Sequence, residues 1–319
     1  MPNFSGVWTL KEQGVAVKGD RWAEFLGSGF ALVTGDAPNR TTIDFINTVA
    51  SSNATDFGDL LAASSKLAAL GSSTRAVFAG GQTADGRQNV IQYSTFASTG
   101  TLSDFGDLST TASYSSGSSS STRGIINLGY SGSSISNIIE YVTIASAGNS
   151  TDFGDLTLAR YSESGASASP TRGTLSGGYT SSKQNIIDYI TIASAGNATD
   201  FGDLLAADMT LGACSSSTRG LIGGGDGSGA TTNVIQYITI ASTGNAQDFG
   251  DLSQSRKNFA SFSNNTTGFW AGGDPNGSIV DIIDKVAIAS LGNATDFGDL
   301  TIDRESCSGC SNAHGGLQL

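Results

Sequence analysis

The sequence predicts an all-β protein: a six-bladed β-propeller of four-stranded blades, with the first blade closed by the C-terminal strand. Three observations carry this expectation. The tetrapeptide Asp-Phe-Gly-Asp occurs six times, its phenylalanines at Phe57, Phe105, Phe153, Phe201, Phe249 and Phe297, and every interval is 48 residues. A constant period of that length, rich in turn residues, marks a propeller, solenoid or array. Each unit also holds four short strand-like runs between turn signals, the content of one propeller blade. No segment sustains the 3.6-residue apolar period of a helix over three turns.

The fifth copy shows the elements in order. Thr218-Arg-Gly-Leu-Ile-Gly-Gly-Gly225 reads as a strand ending in glycines. A variable loop follows, then Asn233–Ala241, whose β-branched and aromatic residues make a buried strand. Ser242–Gln247 is a turn, Asp248–Leu252 a short outer strand, and the small-residue run before the next Ser-Thr-Arg-Gly an inner one. Counting back 48 from Arg75 reaches Gly27, so the first copy lacks its inner strand. An open seam would expose unpaired sheet edges, which native proteins avoid. Residues near Arg304–Ser311 are therefore expected to complete the blade begun by Phe30–Leu60. The domain organisation is then a segment of residues 1–26 outside the repeat and a propeller of residues 27–319. Trp8 and Trp22 fall in the first segment. Large aromatics outside a repeat core need a burial partner, so they are expected to dock.

Composition excludes several classes. With 16 Lys and Arg against 28 Asp and Glu, net charge −12, the chain has no basic footprint for nucleic acid. No run approaches the ~18 apolar residues that span a bilayer, so membrane insertion is not expected. The opening MPNFSGVWTLKEQ lacks the basic and apolar regions of a signal peptide. Three cysteines make no disulfide framework, and one histidine, His314, leaves little room for His-based catalysis.

The repeated motifs read as structural. Twelve of the 28 acidic residues belong to the six Asp-Phe-Gly-Asp motifs. A metal-binding carboxylate ring is one reading. The other has the first Asp capping a turn, Phe filling the space between blades and Gly bending the chain, and occurrence in every copy favours it. Arg75, Arg123, Arg172 and Arg219 recur in Ser-Thr-Arg-Gly, with Thr267 and Gly315 at the remaining positions. They are expected to pair with neighbouring aspartates rather than to ring a channel with positive charge. Cys307, Cys310 and His314 form the one metal-like spacing, but a structural zinc site wants four ligands, and residues three apart on a strand face opposite ways. No metal and no cofactor is expected. Asn53, Asn149, Asn197 and Asn293 read as turn residues before the outer strand.

A strand ending in a double glycine, a variable loop, an aromatic-bearing strand and a last strand with a large aromatic together resemble the kelch repeat. Gly80-Gly81, Gly177-Gly178, Gly223-Gly224 and Gly272-Gly273 supply the pairs, while Leu128-Gly129 and Leu32-Val33 depart from them. The wording TRGxxxGG…NVIxYITIASxGNATDFGDL, over residues 27–319, also resembles repeat proteins of tailed bacteriophages of aquatic bacteria, cyanophages among them. Phe4–Gln13 resembles the start of phage tail and fibre proteins. The likeness implies a non-enzymatic structural protein of the virion, made in the host cytoplasm and placed in the tail, fibre or baseplate. Its partners would be other virion proteins, a host-surface glycan or receptor, and further copies in a homo-oligomeric assembly. An intracellular kelch-like interaction scaffold and a glycan-binding lectin propeller are the alternatives. Kelch-type copper oxidases need histidine ligands that this chain lacks, and no sialidase Asp-box, GxSxG or HExxH motif occurs, so no enzyme is expected.

Turns that only build a blade should repeat, whereas loops that recognise a partner need not. The loops after the glycine pairs differ most, and they carry the candidate binding residues: Asp36, Arg40, Asp85, Arg87, Tyr130, Tyr179, Lys183, Asp226, Asp274 and Asn276.

Overall fold

The computed structural model describes residues 29–36, 40–161, 165–227 and 229–317. Among these there is no helix, and 27 strands form antiparallel sheets arranged as a β-propeller. The first copy gives the sheet Ser308–Ser311, Phe30–Thr34, Arg40–Asn47, Thr55–Ser64, in that order from the inner strand outward. The third to sixth copies repeat the plan, and the third runs Ser116–Ser119, Arg123–Asn127, Ile138–Thr143, Thr151–Asp155.

The expected seam is present. Ala31 pairs with Ser311 and Val33 with Gly309, so the C-terminal strand supplies the inner strand of the first blade. Asn312 extends the junction, its Oδ1 accepting from the backbone N–H groups of Gly29 and Phe30.

The strand count needs a correction. Five blades have four antiparallel strands each, not six. The sheet of the second copy has seven strands. Its outer strand Ser103–Ser113 continues for 11 residues and pairs with a hairpin from the next copy, Tyr130 opposite Ser113 and Ser131 opposite Ala112. The glycine positions shift as well. Gly224-Gly225, both at positive φ, match Gly80-Gly81 in the fifth copy, and in the first copy Gly35 follows the strand where Leu32-Val33 was expected.

The motif Asp-Phe-Gly-Asp works as a clasp. In the third copy the pairing of Ile139 with Gly154 and Glu140 with Asp152 leaves Phe153 unmatched, a β-bulge that turns its ring into the core. Gly154 sits at φ +143, and a Cβ there would stand 2.6 Å from the carbonyl of Gly196 in the next copy. The Asp155 N–H then donates to Asn197 Oδ1 of that copy. The same Asn bond recurs at Asp107, Asp203, Asp251 and Asp299. The Asn residues thus join neighbouring copies. The first Asp, expected to cap a turn, instead lies exposed within the outer strand.

Buried joints connect the sheets, each at a polar residue of the third strand. Asp188, Asp284 and Asp44 accept from the backbone N–H and hydroxyl of Thr157, Ser253 and Thr301 in the preceding copy. Each also pairs with a fully buried arginine, Arg160, Arg256 or Arg304. Where the donor residue is Leu61 or Leu205, only its N–H is on offer, and neutral Gln92 or Gln236 accepts it. In the third copy buried Glu140 accepts from the Ser109 N–H and hydroxyl and from the Ser150 hydroxyl, without an ion pair among the described residues. Each buried carboxylate at these joints is thus met by at least one hydroxyl, as desolvation requires.

Candidate binding face

The expected binding residues and the Ser-Thr-Arg-Gly turns have different fates. The arginines do not pair with aspartates. Arg75, Arg123, Arg172 and Arg219 lie 4.7, 4.3, 4.6 and 4.5 Å over the rings of Tyr93, Tyr141, Tyr189 and Tyr237. Each also donates to an isoleucine carbonyl of the next copy, at Ile144, Ile192, Ile240 and Ile288. The acidic motif beside them is exposed, so a ring face and a fixed carbonyl are the better partners for a half-buried guanidinium. These residues are used up inside the fold.

The variable loops divide into two groups. In one, charge ties the loops of the last three copies together. Lys183 Nζ lies 2.9 Å from Asp226 Oδ1, Lys257 lies 3.9 Å from the other oxygen of Asp226, and Asn276 Nδ2 donates to Thr231 Oγ1. Asp274 accepts from the Gly277 N–H within its own turn. Beneath them Asp208 is buried, and burial pushes its carboxyl up to about 7 against the pull of the Met209 N–H and Lys183. In the first copy Asp36 is buried, pairs with Arg40 at 2.9 Å and accepts from the Glu305 N–H, so it braces the seam. Asp85 is exposed at the tip of a tight hairpin, its N–H held by Thr83 Oγ1.

The other group is aromatic. Tyr161 stands at its hub, with ring centroids 5.0 Å from Tyr114, 5.9 Å from Tyr130 and 5.5 Å from Tyr179. All four rings are half-buried. The hairpin Tyr130–Ser131 is placed by its pairing to the long outer strand of the second copy, and Tyr179 by mutual backbone bonds with Tyr161. Two cations flank them. Arg87 lies 4.3 Å over Tyr130 while donating to Ser113 Oγ and Gly132 O; Lys66 lies 4.3 Å over Tyr114 and donates to its hydroxyl. Neither makes an ion pair among the described residues.

The loop reading thus named Arg87, Tyr130 and Tyr179 but missed Lys66, Tyr114 and Tyr161. These lie past the outer strand, in a stretch read as scaffold. Lys66 and Tyr114 share one repeat position, nine residues after the motif phenylalanine, and are 48 apart. With Thr210, Asn258 and Ser306 at the same position they adopt φ between 51 and 59. A left-handed backbone at non-glycine residues is a strained state that surrounding structure must hold. Trp8 and Trp22 lie outside the described residues.

The metal-like spacing dissolves into the core. Cys307 packs among Phe262, Phe269 and Phe297, while Cys310 packs in a separate cluster with Leu32 and Phe78. Burial pushes the Cys310 thiol up and the Cys214 thiol up to about 12. His314 reaches into the channel lined by the inner strands, where its Nε2–H donates to Gly71 O at 2.9 Å and its Nδ1 accepts from the Gly316 N–H. Burial holds its pKa below the usual imidazole value. Among the described residues no group of three or more His, Cys, Asp or Glu is arranged to hold a metal.

The fold and this face define a β-propeller with an aromatic, cation-flanked loop cluster. No protein-family model matches the chain, and the search of curated proteins finds no significant relative.

Proposed function

We propose that the chain is a non-enzymatic binding propeller of a tailed-phage particle, and that its tyrosine face recognises host-surface glycan. One observation carries the reading: four tyrosines converge with Lys66 and Arg87 on the face where the copies differ. Residues shared by the copies are spent on the clasps and joints inside the fold. A tyrosine face is rigid, apolar in the middle and polar at its tip, so it can stack on the C–H face of a sugar ring at small entropic cost. Two cations without carboxylate partners suit uronate or other acidic groups on that sugar. Placement in the particle is supported by the likeness of residues 27–319, and of Phe4–Gln13, to phage proteins. Mass spectrometry of purified particles should find the chain at a fixed copy number. Particles that lack it would overturn the virion assignment and leave the glycan reading to be judged on binding alone.

A further inference from the structure

At four junctions between neighbouring copies the same space is filled from within, by an arginine lying over a tyrosine and donating to the next copy's carbonyl. The seam between the sixth copy and the first is different. Thr267 stands in the arginine's place and Lys285 in the tyrosine's, and across the sheet Thr267 pairs with Ala287 and Lys285 with Phe269. The carbonyl that would receive the guanidinium belongs to Thr48, and Asn264 Nδ2 donates to it instead. The unfilled space is a groove of about 440 Å³ walled by Val49, Phe269, Val286, Leu291 and Phe297. Val49 is 74% exposed and Leu291 61%, more than any other large apolar residue among those described. Lys285 lines the groove with its Nζ 3.0 Å from Ser51 Oγ and 5.1 Å from the Phe297 ring, and makes no ion pair among the described residues.

We propose that this groove is the docking site of the chain's own residues 1–28, with the indole of Trp22 as its occupant and Glu24 as the partner of Lys285. The point at which the chain joins the propeller selects the occupant. The Gly29 carbonyl accepts from the Thr48 N–H, and a Cβ on Gly29 would lie 2.3 Å from Val49 Cγ2, so Gly29 sits against the groove's own wall. Trp22 lies seven positions before Gly29, a reach of up to about 25 Å when extended. The stretch Arg21-Trp-Ala-Glu-Phe-Leu26 offers an aromatic and a carboxylate to a groove with apolar walls and one cation. A tether this short holds the segment at an effective concentration on the order of millimolar, which favours the chain's own segment over one in solution. The inference is independent of the glycan reading, since the tyrosine face takes no part in it.

The test uses the full chain with Leu291→Cys, labelled with bimane, whose emission an indole in contact quenches. The native thiols of Cys214, Cys307 and Cys310 are buried and leave the label a single site. Trp22→Phe should raise emission at least twofold, Trp8→Phe should leave it unchanged, and neither value should depend on protein concentration. Lys285→Glu should raise emission as well, and adding Glu24→Lys should restore the quenching. No change with Trp22→Phe would overturn the proposal, as would relief by Trp8→Phe alone. Quenching that fades on dilution would assign the groove to a second copy and overturn it equally.

Discussion

The buried joint at Asp284 allows a sharp perturbation. Asp284 and Arg256 are both fully buried and 2.8 Å apart, with Ser253 donating to Asp284 through its N–H and hydroxyl. Arg256 also donates to the carbonyls of Gly272, Ile282 and Trp270. Burial pulls its pKa down while Asp284 holds it up. Asp284→Gln removes the countercharge and leaves a guanidinium that water cannot reach. Breaking one side of such a pair costs about 3–5 kcal/mol. In a chain of this size that lowers Tm by on the order of 10 °C. The first copy shows how the same place is built without charge, with Leu61 and Ser64 at the positions of Ser253 and Arg256 and Gln92 at that of Asp284. The triple variant Ser253→Leu, Arg256→Ser, Asp284→Gln should therefore recover more than half of the loss. Urea denaturation of the wild type, the single and the triple variant reads the three stabilities directly. A single variant within 1 kcal/mol of wild type, or a triple variant no better than the single, would refute the view that these residues act as matched sets.

Four further outcomes follow from named groups and from the seam. Asp208 has a folded pKa of about 7, above its unfolded value of 3.8, so the folded state holds the proton more tightly and stability falls as pH rises from about 4 to 7; Asp208→Asn should flatten that slope in a Tm series. His314 is held below 6.5, so its contribution is present above that pH and is lost as pH falls through it; His314→Gln should reduce the loss of Tm between pH 7 and 5. Thr210 sits at φ 57, where a β-branched residue is strained, and Thr210→Asn, the residue type the next copy has at Asn258, should raise stability by up to about 1 kcal/mol. Ending the chain after Asp299 removes the strand Ser308–Ser311 and should broaden the melting transition, and an unchanged melt would place the closure elsewhere.

Much of this architecture was legible in the sequence because the 48-residue period repeats the same backbone decisions at each Phe-Gly pair. The seam was legible for the same reason, since the first copy runs out of chain where the last has strand to spare. The seven-stranded sheet was not. The outer strand stops after five residues where Arg160, Arg256 or Arg304 turns inward to an acid, and it continues where Ser64, Ala112 or Asp208 stands instead. That choice depends on a residue of the next copy, 28 positions away, as between Arg160 and Asp188. The partner of the repeated arginine could have been read. Arg75 and Tyr93, Arg123 and Tyr141, and Arg219 and Tyr237 are each 18 apart, a spacing that charge pairing with aspartate obscured. The tyrosine cluster was half visible, because Tyr130 and Tyr179 lie in variable loops while Tyr114 and Tyr161 lie in a stretch whose neighbours are small and regular.

The most direct test of the glycan face is binding of the purified protein to surface polysaccharide extracted from host cells, measured by biolayer interferometry. Arg87→Ala with Tyr161→Ala removes one flanking cation and the hub of the aromatic cluster, and Leu205→Asp, at an exposed outer-strand position 53% open to solvent, serves as the control. The account predicts that wild type and Leu205→Asp bind alike and that the double variant, still folded with the β-sheet circular dichroism of wild type, loses at least tenfold in affinity. Equal binding by all three proteins, or none by the wild type, would contradict it.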